Sequence, residues 1–163
     1  MTFVKGGRVV DKEYYKELST SAADGDAKAF SKLYEMIYRE MYYTAFYTLS
    51  CEKDAIEAVI DTARDGFNAI GRLRTEEAFE VFMMKTLCSR IKTYCKDYPD
   101  DIGIDDDQPE VKKVFFRLGY TDRLCAVLNV AARLEPSAIA AYMGMTKGSV
   151  TRRLSKALPV LQS

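Results

Sequence analysis

The chain contains no histidine, and that absence excludes more than any single residue present. Histidine is the commonest general base near neutral pH and the usual activator of serine and cysteine nucleophiles. Without it, any catalysis would have to come from carboxylates or lysines. The glycines offer no phosphate cradle: in GMTKGS (Gly144 to Ser149) the lysine precedes the second glycine, the reverse of a nucleotide-binding loop. We therefore read no catalytic residue, no enzyme and no small-molecule substrate.

Other shortages narrow the class further. There are four cysteines, Cys51, Cys88, Cys95 and Cys125, and no two stand in a CxxC pair. Zinc sites without histidine usually need closely spaced thiolates, so no metal and no cofactor are expected. The cysteines read instead as small apolar residues in a reducing compartment. No apolar run approaches the roughly 18 residues of a membrane span. The start, MTFVKGGRVVDKEYY, breaks at once into glycine and charge and lacks the apolar centre of a signal peptide. The expectation is a cytoplasmic protein with no membrane insertion. Strand-like alternation of useful length is missing too.

What remains is helical periodicity, and the expected fold class is all-α. From Asp26 to about Leu49, apolar residues fall at Phe30, Leu33, Tyr34, Ile37, Tyr38, Met41, Ala45, Phe46 and Leu49, the stripe of a buried helix face, with Asp24 or Asp26 as N-cap. A second stripe runs Ala55, Val59, Ala63, Phe67, Ile70 and Leu73. A third, after Thr75-Glu76-Glu77, runs Phe79, Phe82, Met83, Thr86, Leu87, Ile91, Tyr94 and Cys95. With a shorter helix near Lys12 to Ala22, these make a bundle over residues 1–97.

The periodicity then stops. KDYPDDIGIDDDQPE holds two prolines, one glycine and seven acids. Residues 98–110 read as an acidic linker between two small domains, either a plain solvated loop or a tether that mimics or repels nucleic acid. Helical patterning resumes at Val111 to Leu118, Asp122 to Ala132, Pro136 to Met143 and Lys147 to about Leu158, with Pro159 marking the end. Net charge is zero, but it is divided unevenly. From Leu118 onward Arg123, Arg133, Lys147, Arg152, Arg153 and Lys156 oppose only Asp122 and Glu135, a net +4 that leaves −4 for the rest. A polyanionic partner is expected at that end alone.

Residues 111–163 contain the most specific signal, PSAIAAYMGMTKGSVTRRLSKA (Pro136 to Ala157). A helix-turn-helix needs a small residue where its helices cross, a turn residue four later, and a branched apolar residue six beyond that. Ala140, Gly144 and Val150 stand at those places, with Ile139, Met143, Met145 and Leu154 completing a small core. The second helix then offers Lys147, Ser149, Thr151, Arg152, Arg153 and Lys156 to DNA, with no acid among them. On the second long helix Asp54, Glu57, Asp61 and Asp65, spaced three, four and four, share one face that is either solvated or set against a basic partner. On the third, Tyr94 and Tyr98 alternate with Arg90, Lys92 and Lys96, either core and wet face or a platform for unpaired bases. Tyr34, Tyr38, Tyr42, Tyr43 and Tyr47 crowd one stretch, serving packing or an interface.

In this order the segments resemble the extracytoplasmic-function sigma factors of bacterial RNA polymerase, over most of the chain. DGDAKAFSKLYEMIY is similar to that family's first helix, EKDAIEAVIDTARDGFNAIGRL to its polymerase-clamp-binding helix, and FEVFMMKTLCSRIKTYCKD to its promoter-melting helix. Arg123, Ala140, Gly144, Gly148-Ser149-Val150, Arg153 and Lys156-Ala157 match its second DNA-reading domain. The family's glutamine, tryptophan and asparagine are replaced by Ile60, Phe82 and Ser89, and the acid that opens its turn-helix core by Ala138. The resemblance implies a sigma region-2-like bundle in which Asp54, Glu57 and Asp61 bind the polymerase core. It also implies a region-4-like domain that reads double-stranded promoter DNA, with an anti-sigma protein as a further partner. Two functions remain open: an initiation factor, or a sigma-like decoy that binds an anti-sigma factor or helper subunit without melting promoters. A stand-alone repressor ranks lower, since no heptad zipper follows the last helix.

Overall fold

Asp11 ends an N-terminal hairpin and at the same time opens the first helix, its carboxylate accepting from the Glu13 amide at 3.0 Å. The computed structural model describes residues 2–5, 8–73, 76–96 and 110–162. The hairpin pairs β1 (Thr2–Lys5) antiparallel with β2 (Arg8–Asp11), with Thr2 opposite Asp11 and Lys5 opposite Arg8. These strands depart from the purely helical expectation. Phe3-Val4 and Val9-Val10 flank a Gly-Gly pair, and strands of four residues are too short to show as alternation.

Among the described residues everything else with regular structure is helix, so the fold is all-α. The first set is α1 (Lys12–Ala23), α2 (Ala27–Leu49), α3 (Glu52–Ala69) and α4 (Glu76–Lys96), with a 3-10 turn over Ile70–Arg72. The second is α5 (Glu110–Arg117), α6 (Tyr120–Val130), α7 (Pro136–Met143) and α8 (Lys147–Gln162). Asp26 caps α2 by accepting from the amides of Lys28 and Ala29, while Asp24 closes α1. Helix α8 runs past Pro159 to Gln162. Proline there removes one bond to the Ser155 carbonyl in the last turn, where few bonds remain to be lost. The acidic stretch 98–110 lies outside the described residues except for Glu110.

On α2 burial follows the expected stripe at Phe30, Leu33, Ile37, Met41 and Ala45, but Tyr38 is exposed; on α4 Phe79, Met83, Leu87 and Ile91 are fully enclosed. On α3 the inward face is rotated from the expected stripe. Ala55, Ala58, Val59, Thr62, Gly66 and Ala69 point inward, while Phe67 lies at the margin, its ring edge-on to Phe30 at 5.3 Å. Small residues win that face because α3 lies close to α4; a Cβ at Gly66 would run into the Met83 sulfur.

The two sets share a main core, while Phe115, Phe116, Leu118, Ala126, Val127 and Ala157 form a separate small cluster within the second set. Leu124, Cys125, Leu128, Ile139, Ala140, Val150 and Leu154 belong to the same apolar cluster as Phe30, Leu33 and Met83. Helix α2 packs on α6 and α4 on α7. Arg123 ties the joint: its buried guanidinium donates to the Thr48 carbonyl at the end of α2 (3.2 Å) and to the Phe116 and Leu118 carbonyls at the end of α5. Those carbonyls have lost their helical partners, and one planar cation serves both helix ends. No described helix is long and apolar enough to cross a membrane.

Candidate nucleic-acid interface

Glu135 and Pro136 start α7, and Gly144 ends it with φ +64°, its amide bonding back to the Ala140 carbonyl. A side chain at that φ would be strained, which is why glycine stands there. Thr146 caps α8 by accepting from the Ser149 amide at 3.2 Å. Where the helices cross, Ala140 is nearly enclosed, and Ile139, Val150 and Leu154 are buried beside it. Met143 and Met145 are half-buried at the edge. The turn therefore presents α8 with its apolar face inward, against α6, α7 and α5.

The outward face carries Lys147, Thr151, Arg152 and Lys156, all exposed, together with half-buried Ser149. Thr151 spends its hydroxyl on the Lys147 carbonyl of its own helix. Arg153 departs from the expectation of a free DNA-reading side chain. It is half-buried, and its Nη1 donates to Asp122 Oδ1 at 2.8 Å. Lys156 Nζ reaches the other oxygen of the same carboxylate at 3.0 Å while remaining mostly exposed. Burial pushes the Asp122 carboxyl up, but the hydrogen bonds and charges of Arg153 and Lys156 outweigh it and hold it below its ordinary value. Asp122, which sequence reasoning counted only as a stray acid, is the anchor that orients the inner edge of α8.

The carboxylate row on α3 is less available than its spacing suggested. Asp54, which the resemblance assigns to polymerase binding, is buried. Glu57 is exposed and accepts from the Tyr94 hydroxyl of α4 at 3.4 Å. Asp61 is half-buried and pairs with Arg64 at 3.2 Å; Asp65 pairs with Arg90 of α4 at 2.7 Å. The basic surface facing the lower part of this row is thus α4 itself. Of the aromatic and basic side chains expected on α4, Lys92 is exposed, and Tyr98 lies outside the described residues, as does the Lys96 side chain. Ile60 and Ser89 are exposed and Phe82 is half-buried.

The tyrosines of α2 form ladders down its outer side. Tyr38 stacks on Tyr42 at 6.0 Å, Tyr42 on Phe46 at 5.8 Å and Tyr43 on Tyr47 at 5.7 Å, with Tyr38, Tyr43 and Tyr47 exposed. Cys88 and Cys125 are buried at the joint, and Cys51 and Cys95 are half-buried. No protein-family model matches the chain, and no curated protein matches it either.

Proposed function

We propose that the chain is a sigma-like transcription initiation factor acting in the cytoplasm. Helices α1–α4 dock on the RNA polymerase core, and α8 lies in the major groove of an upstream promoter element. The observation that carries this reading is the α7–Gly144–α8 unit. Its outer face holds Lys147, Thr151, Arg152 and Lys156, and α8 has no acid anywhere. A basic helix braced by a buried hinge suits phosphate contacts along its flanks and base-edge contacts from its exposed side chains.

The test is run-off transcription on genomic fragments with purified core polymerase, alongside fluorescence anisotropy on the promoters recovered. The expected result is promoter-specific transcripts and duplex binding that weakens steeply with salt. Neither transcripts nor duplex binding at low salt would end the reading. A second reading has its own observation. Ile60, Phe82 and Ser89 stand at the three departures from the sigma pattern, and Arg90 and Tyr94 of α4 are engaged by α3. A sigma-like decoy would bind an anti-sigma protein or helper subunit and start no transcript.

A further inference from the structure

We propose that the cleft between α4 and the helix-turn-helix binds a nucleoside polyphosphate. The cavity is about 560 Å³ and is walled by α4, α6, α7 and α8. That volume lies in the range of roughly 300–1,000 Å³ typical of small-molecule sites. A lone phosphate would leave most of it empty, and a duplex would not enter.

Its charge has one sign. Lys85 and Lys92 come from α4 and Arg153 from α8, and no carboxylate lines the wall among the described residues. Neither lysine forms an ion pair among the described residues, so two ammonium groups face the same space without a counter-charge. Asp122, which holds Arg153, is already shared between Arg153 and Lys156, and Asp65, which lines the adjoining cavity with Lys85, is paired with Arg90. Glu40 and Glu80 act on Tyr142 but form no part of the lining. Cations held together across a concave surface raise the local concentration of anions.

Arg153 adds a second argument. Its Nε is shut away from water and has no acceptor. Asp122 takes one N–H, and a guanidinium carries five. The enclosed Nε is out of reach of a ligand in the cleft, but Arg153 lines the wall, and a phosphate there would accept from the Nη N–H groups that the carboxylate leaves over. Ser89 contributes a hydroxyl to the wall, and the half-buried rings of Tyr120 and Tyr142 offer flat apolar surface to a base. The ligand is a bound effector and not a substrate, and the site uses no glycine loop. Because it touches both helix sets, occupancy favours the packed arrangement over a spread one.

The test is isothermal titration of the full chain with ATP, GTP, sodium tripolyphosphate and adenosine. One-to-one binding of at least one nucleotide is expected, with tripolyphosphate and adenosine both weaker. Replacing Lys85→Ser and Lys92→Ser together should weaken nucleotide binding by about tenfold per lost charge-assisted contact. The melting temperature should not change, since both side chains are exposed. The pair Lys85→Arg and Lys92→Arg should keep the affinity. Arg152→Ala should weaken duplex DNA binding and spare the nucleotide, so this site and the promoter-reading face can fail separately. No saturable binding of either nucleotide, undiminished binding by the serine pair, or tripolyphosphate binding as tightly as a nucleotide would each overturn the proposal.

Discussion

Arg152 and Arg153 are neighbours in sequence and opposites in place. Adjacent helical residues point about 100° apart, so one side chain reaches solvent while the other turns toward α6. Spacing alone identified the helix and its basic character; it could not reveal that Asp122, 31 residues earlier, claims Arg153. On the proposed reading, in which α8 contacts DNA, replacing Arg152 with Ala should cost about 1–3 kcal/mol of specific binding, the worth of a paired guanine contact, with no change in melting temperature. Anisotropy and thermal melts on one sample check both halves of that statement.

Asp122 itself gives a pH prediction. Its folded pKa lies below the unfolded value of about 3.9, so its contribution is complete above that pH and is lost as pH falls through the depressed folded value. Asp122→Asn should lower stability at pH 7 by about 2 kcal/mol and flatten the acid limb of a melting-temperature profile. An acid limb identical to that of the parent would show that the carboxylate is not held as described. The thiols are graded in the same way. Burial pushes Cys88 up to about 12 and Cys125 to about 11, so in the folded chain Cys51 and Cys95 should react first with a thiol reagent at pH 8. Stoichiometric early labelling of Cys88 or Cys125, located by mass mapping, would contradict that packing.

At the scale of elements, the helices of the bundle were legible because apolar residues recur at three and four. What periodicity could not give was the rotation of α3, because alanine, threonine and glycine carry little hydrophobic signal. The seam through Ala58, Thr62 and Gly66 exists for close approach and not for apolar area, so its residues are small. Gly66→Ala illustrates the conflict. It gains about 1 kcal/mol of helix propensity, yet its methyl meets fully buried Met83. Overpacking of about 1–3 kcal/mol should win, giving a net loss in denaturant melts. At Gly144 the neighbourhood is open and only the backbone objects. Gly144→Asn, which tolerates a left-handed conformation, should fold nearly as well as the parent, whereas Gly144→Val should be clearly destabilised. Equal melting of the two variants would place the turn elsewhere. The buried position of Asp54 was likewise hidden, since a carboxylate in a row of carboxylates reads as surface.

For the molecule as a whole, composition divided the charge but said nothing about contact between the two helix sets. That contact depends on residues such as Leu124, Ile139 and Ala140, which any single helical hairpin would also need for itself. Arg123 is the residue where the joint can be tested. Its guanidinium spans three carbonyls from two helix ends, and a lysine, with a point charge on a flexible stem, cannot hold that plane. Arg123→Lys should therefore speed amide exchange around the ends of α2 and α5 before it changes the bundle interior. Uniform protection across the chain would remove the joint from this role.

The shared core has one more consequence. A macromolecule that grips only a splayed form sees its apparent affinity reduced by the fraction of molecules splayed at any moment. Weakening the clasp at Arg123 raises that fraction. A lesion that harms the folded chain would then strengthen its hold on such a partner, and affinity and stability would move in opposite directions.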